Sequence, residues 1–347
     1  MKRALAFAVI SAWSAVACTL LSPLDYLTAG GPVVDGGPDD GASDASPLPP
    51  PQLLASGQAT PDYLAVDATN VYWHTGGSGS SIVAVAKTGG MPRTVAGAAA
   101  VIEQIAADAD PNGLVYWTDG VNLRRAPKQG GDGGSAIALV GEYPINGFAL
   151  DMSGIFTSEL DENQGLGAVA RASPDGGGRF VLNAQDQPSA IGVGTANVYW
   201  VESANQEVHA LAKNATGDAG APQVIGTNDA VDPAEQQAFA VDEQAVYWSD
   251  PTTVSRHNLT PNGAATILYE DDDASTNLGD VSLDATYVWF TEETSGTILR
   301  VPRSGGAVEI RATGQTGIVG LVSDGANVYF VRQGTGSDGQ ILRIPAQ

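Results

Sequence analysis

Four acids stand at one repeated place in this chain. Two residues beyond the second member of a recurring aromatic pair, the sequence reads Thr75, Asp119, Ser158, Glu202, Asp250, Glu292 and Arg332. Carboxylates gathered on one rim focus negative potential and attract cations or a basic partner. Neighbouring loops add Glu159, Asp161, Glu162 and Glu293, and the joins between repeats add Glu103, Glu142, Asp186 and the run Glu270-Asp271-Asp272-Asp273. Two readings follow. Asp119, Glu159, Glu202, Asp250, Glu292 and Arg332 form a ligand-binding mouth, or the acids bind backbone amides of the adjoining repeat and otherwise stay solvated.

A second candidate is Asp108-Ala109-Asp110-Pro111-Asn112-Gly113. Oxygen donors at alternate positions before a glycine turn match the first half of a calcium loop, so Asp108, Asp110 and Asn112 are the candidate metal ligands. The twelfth position is Asp119 rather than Glu, and a strand intervenes, so the segment does not fold back as an EF-hand does. The plainer reading is a longer Asp/Asn/Gly hairpin turn. Asp67, Asp151, Asp242, Asp284 and Asp324 occupy the same turn in other repeats, where capping of the turn explains them. No cofactor is expected beyond calcium at that loop. Catalysis finds no residue set. His74, His209 and His257 do not recur as a ligand set. Gly77-Ser78-Gly79-Ser80 sits on a loop, with Ser81 where a nucleophile elbow needs its closing glycine.

The elements that must position these residues are written as a repeat. A small apolar run, an Asp-led turn and an aromatic pair recur seven times, as in Leu64-Ala65-Val66-Asp67 followed by Val71-Tyr72-Trp73. The second aromatic positions are 73, 117, 156, 200, 248, 290 and 330, separated by 44, 39, 44, 48, 42 and 40 residues. A period near 40–45 with several strands per unit predicts β-propeller blades. One unit reads as four strands: Val281-Ser282-Leu283, Tyr287-Val288-Trp289-Phe290, Ile298-Leu299-Arg300-Val301 and Val308-Glu309-Ile310-Arg311, with Gly305-Gly306 in the last turn. Small residues of strand one (Ala65, Ala106, Ala149, Gly192, Ala240, Ser282) fit a crowded inner rim, and the aromatics fit the wider space between blades.

Closure is also legible. The seventh unit ends three strands in, at Ile341-Leu342-Arg343-Ile344-Pro345. Gln52-Leu53-Leu54-Ala55-Ser56-Gly57-Gln58 matches Glu309-Ile310-Arg311-Ala312-Thr313-Gly314-Gln315 in pattern and in spacing to the next turn aspartate. Residues 52–55 are therefore expected to supply the missing outer strand, closing a ring with no open half-blade. The expected fold is all-β: a seven-bladed propeller of four-stranded antiparallel blades over 52–347, closed by the N-terminal strand.

Tyr116-Trp117-Thr118-Asp119 spells the signature of the YWTD propellers, with Tyr247-Trp248-Ser249-Asp250, Tyr199-Trp200-Val201-Glu202 and Trp289-Phe290-Thr291-Glu292 as variants. Over 52–347 the chain resembles that family, and its repeat overlaps with NHL-like propellers. The resemblance implies a protein- or glycan-binding platform rather than a catalyst. The chain departs from it in blade count, since YWTD propellers close with six. Gluconolactonase-like propellers, which hold a metal with inner Glu, Asn and Asp residues, supply the alternative: a metal-dependent hydrolase or lyase. The small apolar strand one weighs against that chemistry. Its discriminator is whether Glu103, Glu142, Glu202, Asp250 and Glu292 converge in the channel.

The remaining segments speak to location. Lys2 and Arg3 precede a 13-residue apolar run, Ala4 to Val16, too short to span a bilayer. Residues 1–17 thus read as a secretory signal. Ala15-Val16-Ala17-Cys18 resembles a bacterial lipoprotein box, making Cys18, the single cysteine, the lipidation site. Thr19 rather than Asp follows, so the outer membrane is the expected destination. Residues 18–51, rich in Gly, Pro, Asp and Ser, form a solvated linker. A net charge of −23 argues against nucleic acid as a partner. A monomer is expected, touching the membrane through its lipid alone and binding a protein or glycan ligand.

Overall fold

In the computed structural model the described residues are 48–347, without 78, 99–101, 111, 131–136, 140–142, 162–164, 175–176, 186, 206, 216–220, 228–237, 262–264 and 274. Cys18, the signal segment, Pro111, Glu142, Glu162 and Asp186 lie outside them. The described residues form seven four-stranded antiparallel sheets, with no helix among them. The blades cover residues 61–97, 104–139, 145–185, 188–227, 238–270, 278–312 and 318–345. Within the first six, the strands lie in chain order from the inner to the outer edge. In blade 7 the outer place is taken by Gln52–Gln58, which pairs antiparallel with Gly339–Pro345, Gln52 opposite Arg343 and Leu53 opposite Leu342. The expected exchange is present, and the strand is three residues longer than 52–55.

The aromatic pairs explain why sheets stack radially. A strand sends alternate side chains to opposite faces, so each pair gives one ring to each neighbouring blade. Tyr72 packs with Trp117, Val115 and Ile105 in the joint between blades 1 and 2, while Trp73 packs with Tyr329 and Val331 in the joint between 7 and 1. The core is thus divided into seven apolar clusters, one for each joint. Trp73, Trp117, Trp200, Trp248 and Trp289 are fully buried there. Burying one such ring is worth roughly 5 kcal/mol before entropic costs, and a small residue in its place opens a joint rather than a central core.

Ion pairs fasten several of the same joints. The turn aspartate of one blade reaches the cation that opens the last hairpin turn of the next. Asp67 pairs with Lys128 at 3.1 Å, Asp242 with Arg303 at 2.8 Å and Asp324 with Lys87 at 2.6 Å; Asp151 pairs with Lys213 in the same way. Each aspartate first caps its own turn. Asp67 Oδ1 accepts from the amides of Thr69 and Asn70, both at 2.7 Å, while Oδ2 accepts the Tyr72 hydroxyl at 2.7 Å. Those donors, with Lys128, hold the Asp67 carboxyl down at about 2 against the effect of its burial. Turn capping therefore describes half of the role expected for these aspartates. Between blades 4 and 5 both partners change together: Gly194 stands for the aspartate, and Leu259 stands for the cation and joins the apolar cluster.

Candidate functional site

In several blades the first strand is longer than its apolar run. In blade 6 it spans Leu278–Leu283 rather than 281–283, and its pairing shifts register between Leu278 and Val281. Comparable shifts fall between Asp62 and Leu64, Ile145 and Gly147, Pro188 and Ile191, and Val319 and Leu321. These are β-bulges, which bend a strand and re-aim a side chain. They turn residues of blades 1, 3, 4, 6 and 7 toward the ring axis.

The result is an axial funnel of about 470 Å³ to which all seven blades contribute, a volume within the usual range for small-ligand sites. Its seven-membered collar lies four residues before each turn position: Tyr63, Gln104, Gly147, Ala190, Ala238, Asp280 and Gly320. Four of these are Gly or Ala, which the converging strands require. Gly192, farther along blade 4, shows the crowding directly: a Cβ there would come 2.4 Å from Val241. Of the three larger collar residues, Gln104 is engaged in structure. Its amide group pairs with the backbone N–H and C=O of Phe148 at 2.9 and 2.8 Å. Tyr63 and Asp280 are the other two; Asp280 also reaches the next blade, accepting from the amides of Gly320 and Leu321, but a carboxylate can hold two amides and still offer acceptor sites to the funnel.

Asp280 is half-buried in the funnel wall. Its burial and the charge of Glu293 push the carboxyl up to about 6, although the amides of Gly320 and Leu321 hydrogen-bond to it and favour the ionised form. Glu293 is itself raised by burial and by Glu292, while Asn277 donates to it at 2.7 Å and opposes the rise. Tyr63 takes φ +40°, the left-handed region that a bulky side chain avoids. Its hydroxyl is raised by burial and then by Asp62, Asp280 and Glu103, which places it within electrostatic reach of acids on blades 6 and 2. Glu103 and Phe239 also line the funnel, and its lining contains no Lys, Arg or His.

The expected mouth acids are elsewhere. Asp119 accepts from the amides of Val121 and Asn122 and from Arg124 Nε at 2.5 Å. Asp250 accepts from the amides of Thr252 and Thr253, and Glu292 from those of Thr294 and Ser295. Glu202 accepts from the Gln187 amide at 2.7 Å, Glu159 binds the Arg179 guanidinium at 3.0 and 2.6 Å, and Arg332 donates to Gln340 at 3.3 Å. These six residues serve the hairpins and joins around the mouth, and none lines the funnel. Of the described members of the convergence set, Glu103, Glu202, Asp250 and Glu292, only Glu103 reaches it. The reading of strand one as small and apolar is corrected too: its N-terminal half carries Tyr63, Gln104, Asn146, Ser189 and Asp280. In blades 1, 3, 4 and 6 those residues were missed because a bulge breaks the two-residue alternation by which a strand is recognised. The column four before each turn was the available signal.

The loop of Asp108, Asp110 and Asn112 lies at the opposite mouth, on a separate cavity of about 1120 Å³. Asp108 caps the Leu114 amide at 2.8 Å and Asp110 caps that of Asn112 at 2.9 Å. A cation already sits against this loop. The fully buried Lys128 ammonium lies 3.1 Å from Asp108 Oδ1 and 3.1 Å from Asp67, and donates to the Asp108 and Asp110 carbonyls at 2.5 and 2.7 Å. Among the described residues no group of three or more His, Cys, Asp or Glu is placed to hold a metal ion. His74 is buried and bonded to Asp62 at 2.7 Å, and His209 and His257 lie on third strands of blades 4 and 5.

The fold and site define a class: a seven-bladed β-propeller with a polar axial funnel at one mouth. No protein-family model matches the sequence, and no curated protein matches it. Among solved structures, a streptogramin B lyase is similar with a TM-score of 0.60 at 13% identity, over 85% of this chain and 96% of that one. Virginiamycin B lyase from Staphylococcus aureus gives 0.59 at 14%, over 85% and 98%. The WD40 propeller domain of Doa1 gives 0.61 at 11%, over 84% and 96%. At such identities the likeness shows the fold alone.

Proposed function

We propose that this chain is a cell-envelope binding protein whose propeller receives the polar end of a protein or glycan ligand in its axial funnel. The observation that carries the reading is the collar itself, where Tyr63 and Asp280, the latter with acceptor capacity beyond the Gly320 and Leu321 amides, interrupt a ring otherwise built from Gly, Ala and a Gln spent on backbone. The YWTD-type repeat supports a binding platform. The signal segment and the box ending in Cys18 support export and lipid anchorage at the outer membrane. The closed ring supports a monomer. Calcium is the ion whose donors the sequence spells at Asp108, Asp110 and Asn112, and the Lys128 ammonium competes with it for that loop. The mouth acids Asp119, Glu159, Glu202, Asp250 and Glu292, with Arg332, shape the rim through which a ligand passes.

The test is retention of envelope oligosaccharides and peptides on the immobilised full chain, compared with Asp280→Asn and Tyr63→Asn. Retention lost in both variants supports the funnel, and equal retention refutes it. Labelling with a fatty-acid analogue, lost in Cys18→Ser, tests the anchor. The second reading, a metal-dependent hydrolase or lyase, draws on the carboxylates of Glu103 and Asp280 in one cavity. Metal-dependent turnover that disappears in Asp280→Asn would favour it.

A further inference from the structure

Three consecutive collar positions around the ring differ sharply in kind. Blade 6 gives Asp280, blade 7 gives Gly320 and blade 1 gives Tyr63. Gly320 has no side chain to fill the wall between its neighbours. Its amide donates to Asp280, and a Cβ on it would lie 3.5 Å from the Tyr63 amide nitrogen. The two functional side chains therefore flank a notch whose floor is glycine backbone.

The backbone at this notch shows what was kept. Gly320 sits at φ +71° in the bulge of blade 7, a conformation free to glycine. Tyr63 sits at φ +40° in the matching bulge of blade 1, where glycine would be unstrained and tyrosine is not. A strained aromatic at a bulge beside a cavity is the arrangement in which local strain serves a site. The chemistry of the walls is equally one-sided. A carboxylate and an aromatic ring border the notch, Phe239 of blade 5 and Glu103 at the entry to blade 2 flank it on either side, and no cationic side chain lines the funnel. An aromatic face with a carboxylate is the recognition set for an organic ammonium group, through cation–π attraction and charge pairing.

We infer that the notch between Asp280 and Tyr63 binds the ammonium group of a ligand, so that the ligand of the propeller is an amine-bearing molecule such as an amino sugar or a peptide amino terminus. This inference rests on the funnel being the ligand site. The ammonium sits against the Asp280 carboxylate, above Gly320, with the Tyr63 ring as its side wall. Tyr63 thereby sets the width of the notch, and Asp280 sets the charge it accepts.

The probes are tetramethylammonium and glucosamine, with glucose as the neutral match of the latter, titrated calorimetrically into the full chain. The expected result is binding of both cations and none of glucose. Asp280→Asn weakens the cations by about tenfold or more, and Tyr63→Asn by several-fold, the size expected for loss of a charge pair and of a cation–π contact. Tyr63→Phe retains most of the affinity, because the ring is kept. Glu243→Gln, an exposed acid on a turn away from the funnel, changes nothing and controls for overall charge. Asn tolerates the left-handed region, so Tyr63→Asn keeps its melting temperature and the loss is not one of folding. Three outcomes overturn the inference: no cation binds; glucose binds as well as glucosamine; or cations bind unchanged in Asp280→Asn and Tyr63→Asn. If envelope ligands are still lost from both variants, the funnel stands and the ammonium assignment alone fails. If those ligands are also unaffected, the funnel reading fails with it.

Discussion

Replacing Lys128 by Met tests the joint between blades 1 and 2 and the calcium loop together. Lys128 has no exposed surface, and its ammonium serves four acceptors: Asp67, Asp108 Oδ1 and the carbonyls of Asp108 and Asp110. Met fills nearly the same volume, so the loss is electrostatic rather than steric. Removing one partner of a buried ion pair costs about 3–5 kcal/mol. The lower figure applies, because Asp67 keeps the Thr69 and Asn70 amides and the Tyr72 hydroxyl. A loss of about 3 kcal/mol is a large part of the 5–15 kcal/mol available to a domain, and corresponds to a melting point lower by roughly 6 °C in a chain of this size. The assay is calorimetric melting at neutral pH, with millimolar calcium and then with a chelator. Wild type is expected not to respond, since the ammonium holds the donors a cation would use. In the variant, two carboxylates and two carbonyls lose their cation, and calcium recovers part of the deficit by binding the folded state. A wild-type midpoint that rises with calcium, or a variant that melts like wild type, would refute the reasoning.

Three further outcomes are expected. Asp280 titrates in the fold at about 6, above the ordinary carboxylate range, so it weakens the fold as pH rises from about 4 to 6 and stays unfavourable above that; Asp280→Asn should gain about 2 kcal/mol in urea unfolding at pH 8 and nothing at pH 4. Lys87 and Asp324 tie blade 1 to blade 7 at 2.6 Å with both side chains largely buried, and a double-mutant cycle should give a coupling of about 1 kcal/mol. Because Asp324 is held below its ordinary pKa, despite burial, by Lys87 and its turn amides, that coupling is complete above the ordinary carboxylate pKa and lost as pH falls through the lower folded value. Deleting residues 52–58 exposes the edge of Gly339–Pro345, and light scattering should report dimers or larger species in place of a monomer.

The parts of this molecule legible in its sequence are those written in periodic, local patterns. The aromatic pairs announce blades because a strand's alternation needs only neighbouring residues, and the match between residues 52–58 and 309–315 reveals closure because the same strand is written twice. The funnel is less legible. The two-residue pattern fails where Asp62-Tyr63-Leu64 and Leu278-Gly279-Asp280 bulge, so the alternation of strand one starts after the residues that matter. The mouth acids show a different ambiguity. Asp119, Asp250 and Glu292 recur because each closes a hairpin by accepting its own amides, a local need that produces the same periodic column as a shared ligand would. The clasps between blades lay open in the paired columns Asp67/Lys128 and Gly194/Leu259, but only to a comparison of each turn with the turn of the next blade.

The pairing of Gln52–Gln58 with Gly339–Pro345 has a consequence in time. The first strand of the propeller to leave the ribosome waits for the last, and Arg343 meets Gln52 across a sequence separation of 291. Blades 1 to 6 can each pair their strands as they are made, since every one is a run of local hairpins. Ring completion cannot begin until Gly339–Pro345 has been made, and it carries the entropy of closing a loop that spans the whole propeller. Until then the ring has two raw ends, one of them a short strand bearing Leu53 and Leu54. A circular permutant opened between blades, with the present ends joined, would put blade 7 on a par with the others and should refold faster at unchanged stability. The natural order delays assembly and makes it all-or-none: a chain cut short anywhere before residue 339 has no strand to receive its own beginning.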